Sequence, residues 1–260
     1  MACRCIPLTS LSSPFQVRHP LLAIWLLASL DLAACHKQNP EAERIAIAQW
    51  QSMVASTRDL GALSSLRERA RAGGLDAQRA LGISLSGQSQ ADLRAEGLAW
   101  LSTAAKRGSA EARFTLGKLE LSGMRMPMNY GRALTNLTLA AAKGEPRAHY
   151  YLALMARNGQ GMPANRMEAA KHLEEAAKSG IPAAMFLLAN AYREGEGVSK
   201  DEKKALSLYE AAAEKDHPES IQALAMAYRN GELGLQPDPA RYESALAELA
   251  HAHRHAPQPP

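Results

Sequence analysis

Cysteine is scarce in this 260-residue chain and confined to its start: Cys3, Cys5 and Cys35 are the whole complement. No pair is available beyond position 35, which excludes a disulfide framework for the bulk of the chain. Aromatic residues are few as well, at 5% against 47% hydrophobic. Small apolar residues, chiefly Ala and Leu, must therefore do the packing, a composition of closely packed helices and not of sheets. No charge of one sign dominates, since the formal net charge is +4. Without residues 1–34, which carry Arg4, Arg18 and Asp31, 28 basic and 25 acidic residues remain. That small excess supports solubility and does not predict nucleic-acid binding, and no basic run is interleaved with aromatics as a single-strand binder requires. A phosphate-cradling P-loop, a His-Glu-x-x-His pair and a nucleophile motif are all missing. The sequence accordingly predicts no enzyme, no metal and no cofactor.

A long apolar run is also lacking. The stretch Leu21-Leu22-Ala23-Ile24-Trp25-Leu26-Leu27-Ala28-Ser29-Leu30 offers about ten residues, where a helix crossing a bilayer takes about 20. With Arg4, Arg18 and His19 before it and small residues after it, the stretch reads as a secretory signal peptide. Leu32-Ala33-Ala34-Cys35 resembles the lipobox of bacterial lipoproteins. There the cysteine thiol takes the lipid and becomes the mature N-terminus. The resemblance implies a signal peptide over 1–34, lipidation at Cys35 and a short tether over 35–40. It places the protein on the periplasmic face of a bacterial envelope. His36 follows, not the aspartate of an inner-membrane retention signal, which favours the outer membrane. An ordinary cleaved signal peptide with an incidental cysteine is the plainer alternative.

What the chain has in abundance is a period. Leu116, Leu152, Leu188 and Leu224 are each 36 residues apart, as are Gly123, Gly159, Gly195 and Gly231. The pairs Ala140-Ala141, Ala176-Ala177 and Ala212-Ala213 keep the same step. A fixed period in the range of roughly 20–50 residues marks a repeat array. Each repeat reads as a helix A with Ala, then Leu four residues on, then a small residue, as in Ala148/Leu152/Ala153. A glycine turn follows, then Asn129, Asn165 or Asp201 as the N-cap of helix B. Helix B carries Ala169, Leu173, Ala176 and Ala177, or their equivalents, and Pro146, Pro182 and Pro218 open the next helix A. Residues 41–74 read as a degenerate first hairpin, with Leu66, Ala70 and Gly73 at the helix B positions. Terminal repeats are often atypical because they cap the stack. About five repeats fill 75–255, and 256–260 is a Pro-rich tail. The first replaces the glycine turn with Gly87-Gln88-Ser89, and the last inserts residues around Pro237 and Pro239. The fold class predicted is all-α: a right-handed α-solenoid of antiparallel helix hairpins.

The pattern Ala-x-x-x-Leu-Gly/Ala, Gly-x-Gly-Val/Met, Asn/Asp-x-x-x-Ala and Ala-Ala-x-x-Gly at 36 residues resembles the Sel-1-like repeat, a relative of tetratricopeptide repeats. That resemblance implies a non-catalytic scaffold that holds a protein partner in a concave groove. Some bacterial lipoproteins of this architecture resemble immunity proteins that neutralise a secreted phospholipase-type toxin, a narrower alternative. Another alternative, a cell-wall or β-lactam-binding enzyme, belongs to relatives that pair cysteines within each repeat, and this chain has none there.

On helix A, the face away from the Ala–Leu stripe is the candidate binding surface. It carries Tyr150, Leu154 and Arg157 at i, i+4 and i+7, then Phe186, Asn190 and Arg193, then Met226 and Arg229. Three arginines in register suit carboxylate or phosphate groups on a partner. A solvated face of unrelated charges would give the same pattern. Phe114, Tyr150 and Phe186 repeat as aromatic anchors, or as packing between repeats. Glu174 and Glu175 beside Lys171 and Lys178 read as surface ion pairing. His251, His253 and His255, two apart on a tail, could hold a transition metal weakly or simply end the chain. His149, His172 and His217 are scattered and carry no assigned role.

Overall fold

The computed structural model describes residues 39–255; the leader, Cys35 and the Pro-rich end lie outside the described residues. Contacts divide the chain into residues 1–45 and 46–260. Of the first unit only the segment from Asn39 is described, the opening of helix α1 (Pro40–Thr57). Every regular element among the described residues is a helix. No described helix is long and apolar enough to cross a membrane.

In the second unit, α2 (Leu60–Arg71) precedes five antiparallel hairpins. They are α3 (Leu75–Ser86) with α4 (Ala91–Lys106), and α5 (Ala110–Ser122) with α6 (Tyr130–Ala141). Next come α7 (Pro146–Asn158) with α8 (Arg166–Lys178), and α9 (Pro182–Glu194) with α10 (Glu202–Ala213). The last is α11 (Pro218–Asn230) with α12 (Pro239–His255). Each helix A packs on its own helix B, and each helix B on the helix A that follows.

One row of side chains explains that register. Leu101, Leu137, Leu173 and Tyr209 are 36 residues apart, one in each of the first four helices B, and all are buried. Each inserts against helix A, where a small residue lets the two backbones close. A Cβ placed on Gly117 would stand 2.7 Å from the Leu137 Cγ, leaving no room for a larger residue. Removing such a buried leucine costs about 2–5 kcal/mol, because a packed stack cannot collapse into the gap.

Polar residues set the hairpin ends. The Asn129, Asn165 and Asp201 side chains accept from backbone N–H groups three residues on, at 2.9, 3.1 and 3.0 Å. Their own N–H groups donate back to helix A, at the carbonyls of Glu120, Ala156 and Tyr192. Cap and turn are thereby tied to one hairpin. Helices α5, α7, α9 and α11 close on Gly123, Gly159, Gly195 and Gly231 in the left-handed conformation. At the end of α10, Asp216 takes a left-handed φ of 56° where earlier repeats have glycine. At the first turn of α8, the Arg166 carbonyl lies so close to Gly197 that a Cβ there would be 2.1 Å away. The turn of one repeat thus seats directly on helix B of the repeat before it.

Two hairpins depart from the lattice. In the first, Gly87 stays right-handed and residues 87–90 form a shorter connection to α4. In the fifth, Leu233 adopts φ 57° at the position of Gly161 and Gly197 and is buried. Asp238, one residue later than the period predicts, becomes the N-cap, accepting from Ala240 and Arg241 at 3.1 and 3.0 Å.

Candidate partner-binding face

The eight positions on α7, α9 and α11 split into an inner part engaged in packing and an outer part facing solvent. Tyr150 is half-buried, with its ring edge-on to Tyr151 at 5.3 Å. Burial pushes its hydroxyl pKa up, and the nearby Arg157 charge opposes the shift. Phe114 lies under the Arg147 guanidinium, 4.4 Å from its carbon, and 5.6 Å from the Tyr151 ring. Phe186 meets Tyr209 at 5.9 Å and His217 at 5.3 Å. The Phe114 contacts and the Phe186–His217 contact join helix A to the opening of the next repeat, and Phe186–Tyr209 joins it to its own helix B. Asn190 accepts the Tyr209 hydroxyl at 2.5 Å. Its amide is thereby committed inside the stack.

The outer part consists of the exposed Arg157, Arg229 and Met226, with Arg193 and Leu154 half-buried. Each arginine lies in the last turn of its helix. A cation there faces the negative end of the helix dipole, which favours it by roughly 0.3–1 kcal/mol. Arg193 pairs with its neighbour Glu194 at 2.8 Å, and Arg229 stands over the Tyr242 ring at 5.8 Å. Arg157 borders a cleft of only about 40 Å³ with Asn190, Arg166 and Glu196, room for a water and not for a side chain. Arg157 therefore presents its charge at the surface beside only a small cleft.

A larger cleft, of about 420 Å³, lies between α8 and α10 over α9. Ala177, Leu188 and Leu208 make it apolar, and Tyr192, Glu174 and Lys204 rim it. The Tyr192 hydroxyl donates to Glu174 at 3.3 Å, and the Lys204 ammonium sits 5.0 Å from the Tyr192 ring. Sequence reasoning missed this cleft, because Leu208 has no counterpart in the neighbouring repeats, where His172 and Ser244 stand. Of the expected surface ion pairs on α8, Glu175 meets Lys178 at 2.6 Å, while Glu174 serves Tyr192.

The histidines are arranged otherwise than their spacing suggests. His251, His253 and His255 belong to α12 and not to an extended tail. Residues two apart on a helix do not face each other, so His251 and His253 lie on different faces of α12. His149 and His172, which the sequence leaves scattered, are brought together on α7 and α8 with Nδ1 atoms 3.0 Å apart. Among the described residues no group of three or more His, Cys, Asp or Glu side chains is placed to hold a metal.

A stack of regular antiparallel hairpins presenting one repeated face defines a helical-repeat scaffold. The family model for the Sel1 repeat matches residues 75–109, 146–181, 182–217 and 218–241, half of the chain. The chain belongs to the Sel1 repeat family, and its fold is the right-handed α-solenoid of that family. Residues 110–145 escape the match although they fold as the same hairpin. A search of curated proteins gives no match. Among solved structures, the chain is similar to a protective antigen of uropathogenic Escherichia coli strains displaying an SLR fold. It is 29% identical with a TM-score of 0.68, and 73% of this chain covers 41% of that one. It is also similar to a Sel1 repeat protein from Oxalobacter formigenes (24% identity, TM-score 0.74, 85% of this chain and 93% of that one). An immunity protein from Pseudomonas aeruginosa shares the fold (15% identity, TM-score 0.51, 84% and 89%).

Proposed function

We propose that this protein is a non-catalytic scaffold that holds a protein partner along its helix A face, tethered to the envelope through a lipid on Cys35. The observation that carries the binding reading is the register of Arg157, Arg193 and Arg229 on three consecutive helices A, with Leu154 and Met226 one turn before the first and last of them. Charge repeated at one spacing, beside apolar side chains left partly in solvent, suits an extended acidic segment lying along the array. Tethering is supported by the Leu-Ala-Ala-Cys stretch, and a tethered array would meet its partner on the periplasmic side, at the outer membrane.

Quantitative capture from membrane extracts tests the binding reading. The wild-type chain is compared with a variant in which Arg157, Arg193 and Arg229 are Glu. A partner retained by the wild type and lost by the variant supports the groove. Equal capture by both, or none by either after crosslinking, contradicts it.

A narrower reading is an immunity protein that neutralises a secreted phospholipase-type toxin. The P. aeruginosa immunity protein supports it through shared architecture alone. Survival of cells exposed to a neighbouring strain's toxin, with and without this gene, decides it.

A further inference from the structure

We propose that His149 and His172 form a two-histidine site for a borderline divalent transition ion such as Zn2+, Ni2+ or Cu2+. Their Nδ1 atoms face each other at 3.0 Å from the facing helices α7 and α8. The ring centroids are 5.3 Å apart, with planes inclined at 42°. A tetrahedral ion with Zn–N of about 2.0–2.1 Å holds two nitrogens about 3.3 Å apart. The ion therefore fits after an opening of a few tenths of an ångström, within the reach of small side-chain rotations.

Packing alone does not require imidazoles here. The same two positions in the next repeat are Met185 and Leu208, within one apolar cluster. In the repeat before they are Arg113 and Asn136. Only the third hairpin places two nitrogen ligands there, and both rings are half-buried. Burial, and then the neighbouring His149, hold the His172 pKa below the ordinary histidine range. That favours the neutral His172 ring, which is the ligating form. Glu168 and Glu175 lie one turn to either side of His172 and act on it electrostatically, and Glu175 acts on His149 as well. Glu168 adds negative charge near the rings, whereas Glu175 is already paired with Lys178 at 2.6 Å.

In the metal-free pair one Nδ1–H donates to the other Nδ1. On binding, that ring moves its proton to Nε2, so two neutral rings release no net proton. The remaining coordination positions belong to water, because no third His, Cys, Asp or Glu converges among the described residues. Affinity is accordingly below that of a structural zinc site.

Zinc calorimetry on the full chain tests the site, with Cys3, Cys5 and Cys35 changed to Ser so that thiols do not compete. The result expected is one binding event that weakens at least tenfold in H149Q and in H172Q and persists in the H251Q/H253Q/H255Q variant. Unchanged affinity in H149Q and H172Q overturns the proposal, as does loss of the event in the tail variant alone. Should either single variant unfold by circular dichroism, the parent chain is labelled with diethyl pyrocarbonate instead. Zinc is then expected to shield His149 and His172 severalfold while leaving His217 unchanged. Equal labelling with and without zinc overturns the site.

Discussion

The Tyr209 hydroxyl donates to the Asn190 Oδ1 at 2.5 Å, from a side chain with no exposed surface. At the same position the three preceding repeats place leucine, which has no polar atom to satisfy. A phenol in that row brings a hydroxyl into the stack, and Asn190 on helix A supplies the acceptor. Asn190→Ala leaves the buried hydroxyl without a partner and is expected to cost about 1–3 kcal/mol. Combining it with Tyr209→Phe removes donor and acceptor together, and the double variant is expected to be more stable than Asn190→Ala alone. Urea unfolding of the two single variants and the double variant measures the coupling.

Gly197 and Gly234 share a φ of 75°, but their surroundings differ. A Cβ on Gly197 would meet the Arg166 carbonyl oxygen at 2.1 Å, whereas nothing lies within 4 Å at Gly234. Gly234→Ala is expected to cost only the left-handed penalty, roughly 1–2 kcal/mol. Gly197→Ala must also push two repeats apart and is expected to cost clearly more. Melting temperatures of the two variants, compared side by side, check the difference.

Changing Arg157, Arg193 and Arg229 to Glu is expected to leave the fold standing. The side chains are at the surface, and such substitutions usually stay within about 0.5 kcal/mol each. The dipole contribution at each helix end and the Arg229 contact with Tyr242 set a small loss. Thermal unfolding of the triple variant measures it. Collapse of the array would make these arginines structural.

Acid is expected to weaken the stack before carboxylates titrate. Burial lowers the His172 and His217 pKa values in the folded chain. The unfolded chain therefore binds more protons between the folded value and the free value of about 6.5. Their contribution is full above that free value and is lost as pH falls through the folded one. The urea midpoint is expected to decline as pH falls below the free histidine value of about 6.5, and less steeply in an H172Q/H217N variant. H217N keeps an acceptor for the Ser220 N–H that His217 now caps at 3.3 Å. Glu96, held below the usual carboxylate range by its bond from Arg67, adds a further loss only in stronger acid.

The repeat lattice was legible in the sequence because the same physical demand recurs every 36 residues. Asn129, Asn165 and Asp201 had to cap a helix, and each does so. Single-copy features carried no such signal. His149 and His172 are 23 residues apart on different helices, and neither falls on a repeated position. Only the pairing of α7 with α8 brings them together. Asn190 stood in register with Leu154 and Met226, which concealed that its amide answers one substitution, Tyr for Leu, on the facing helix. The three C-terminal histidines looked like a tail because the last repeat's helix B lacks the Ala-Ala-x-x-Gly ending. The chain nevertheless stays helical through His255.

The most direct measurement is intact mass and membrane flotation of the chain expressed with its own leader, beside a Cys35→Ser variant. A lipid-anchored scaffold predicts that the wild type loses residues 1–34, gains the mass of its acyl chains and floats with membranes, while the variant stays soluble. An unmodified Cys35, with both forms soluble, would contradict the anchor and move the search for the partner out of the envelope.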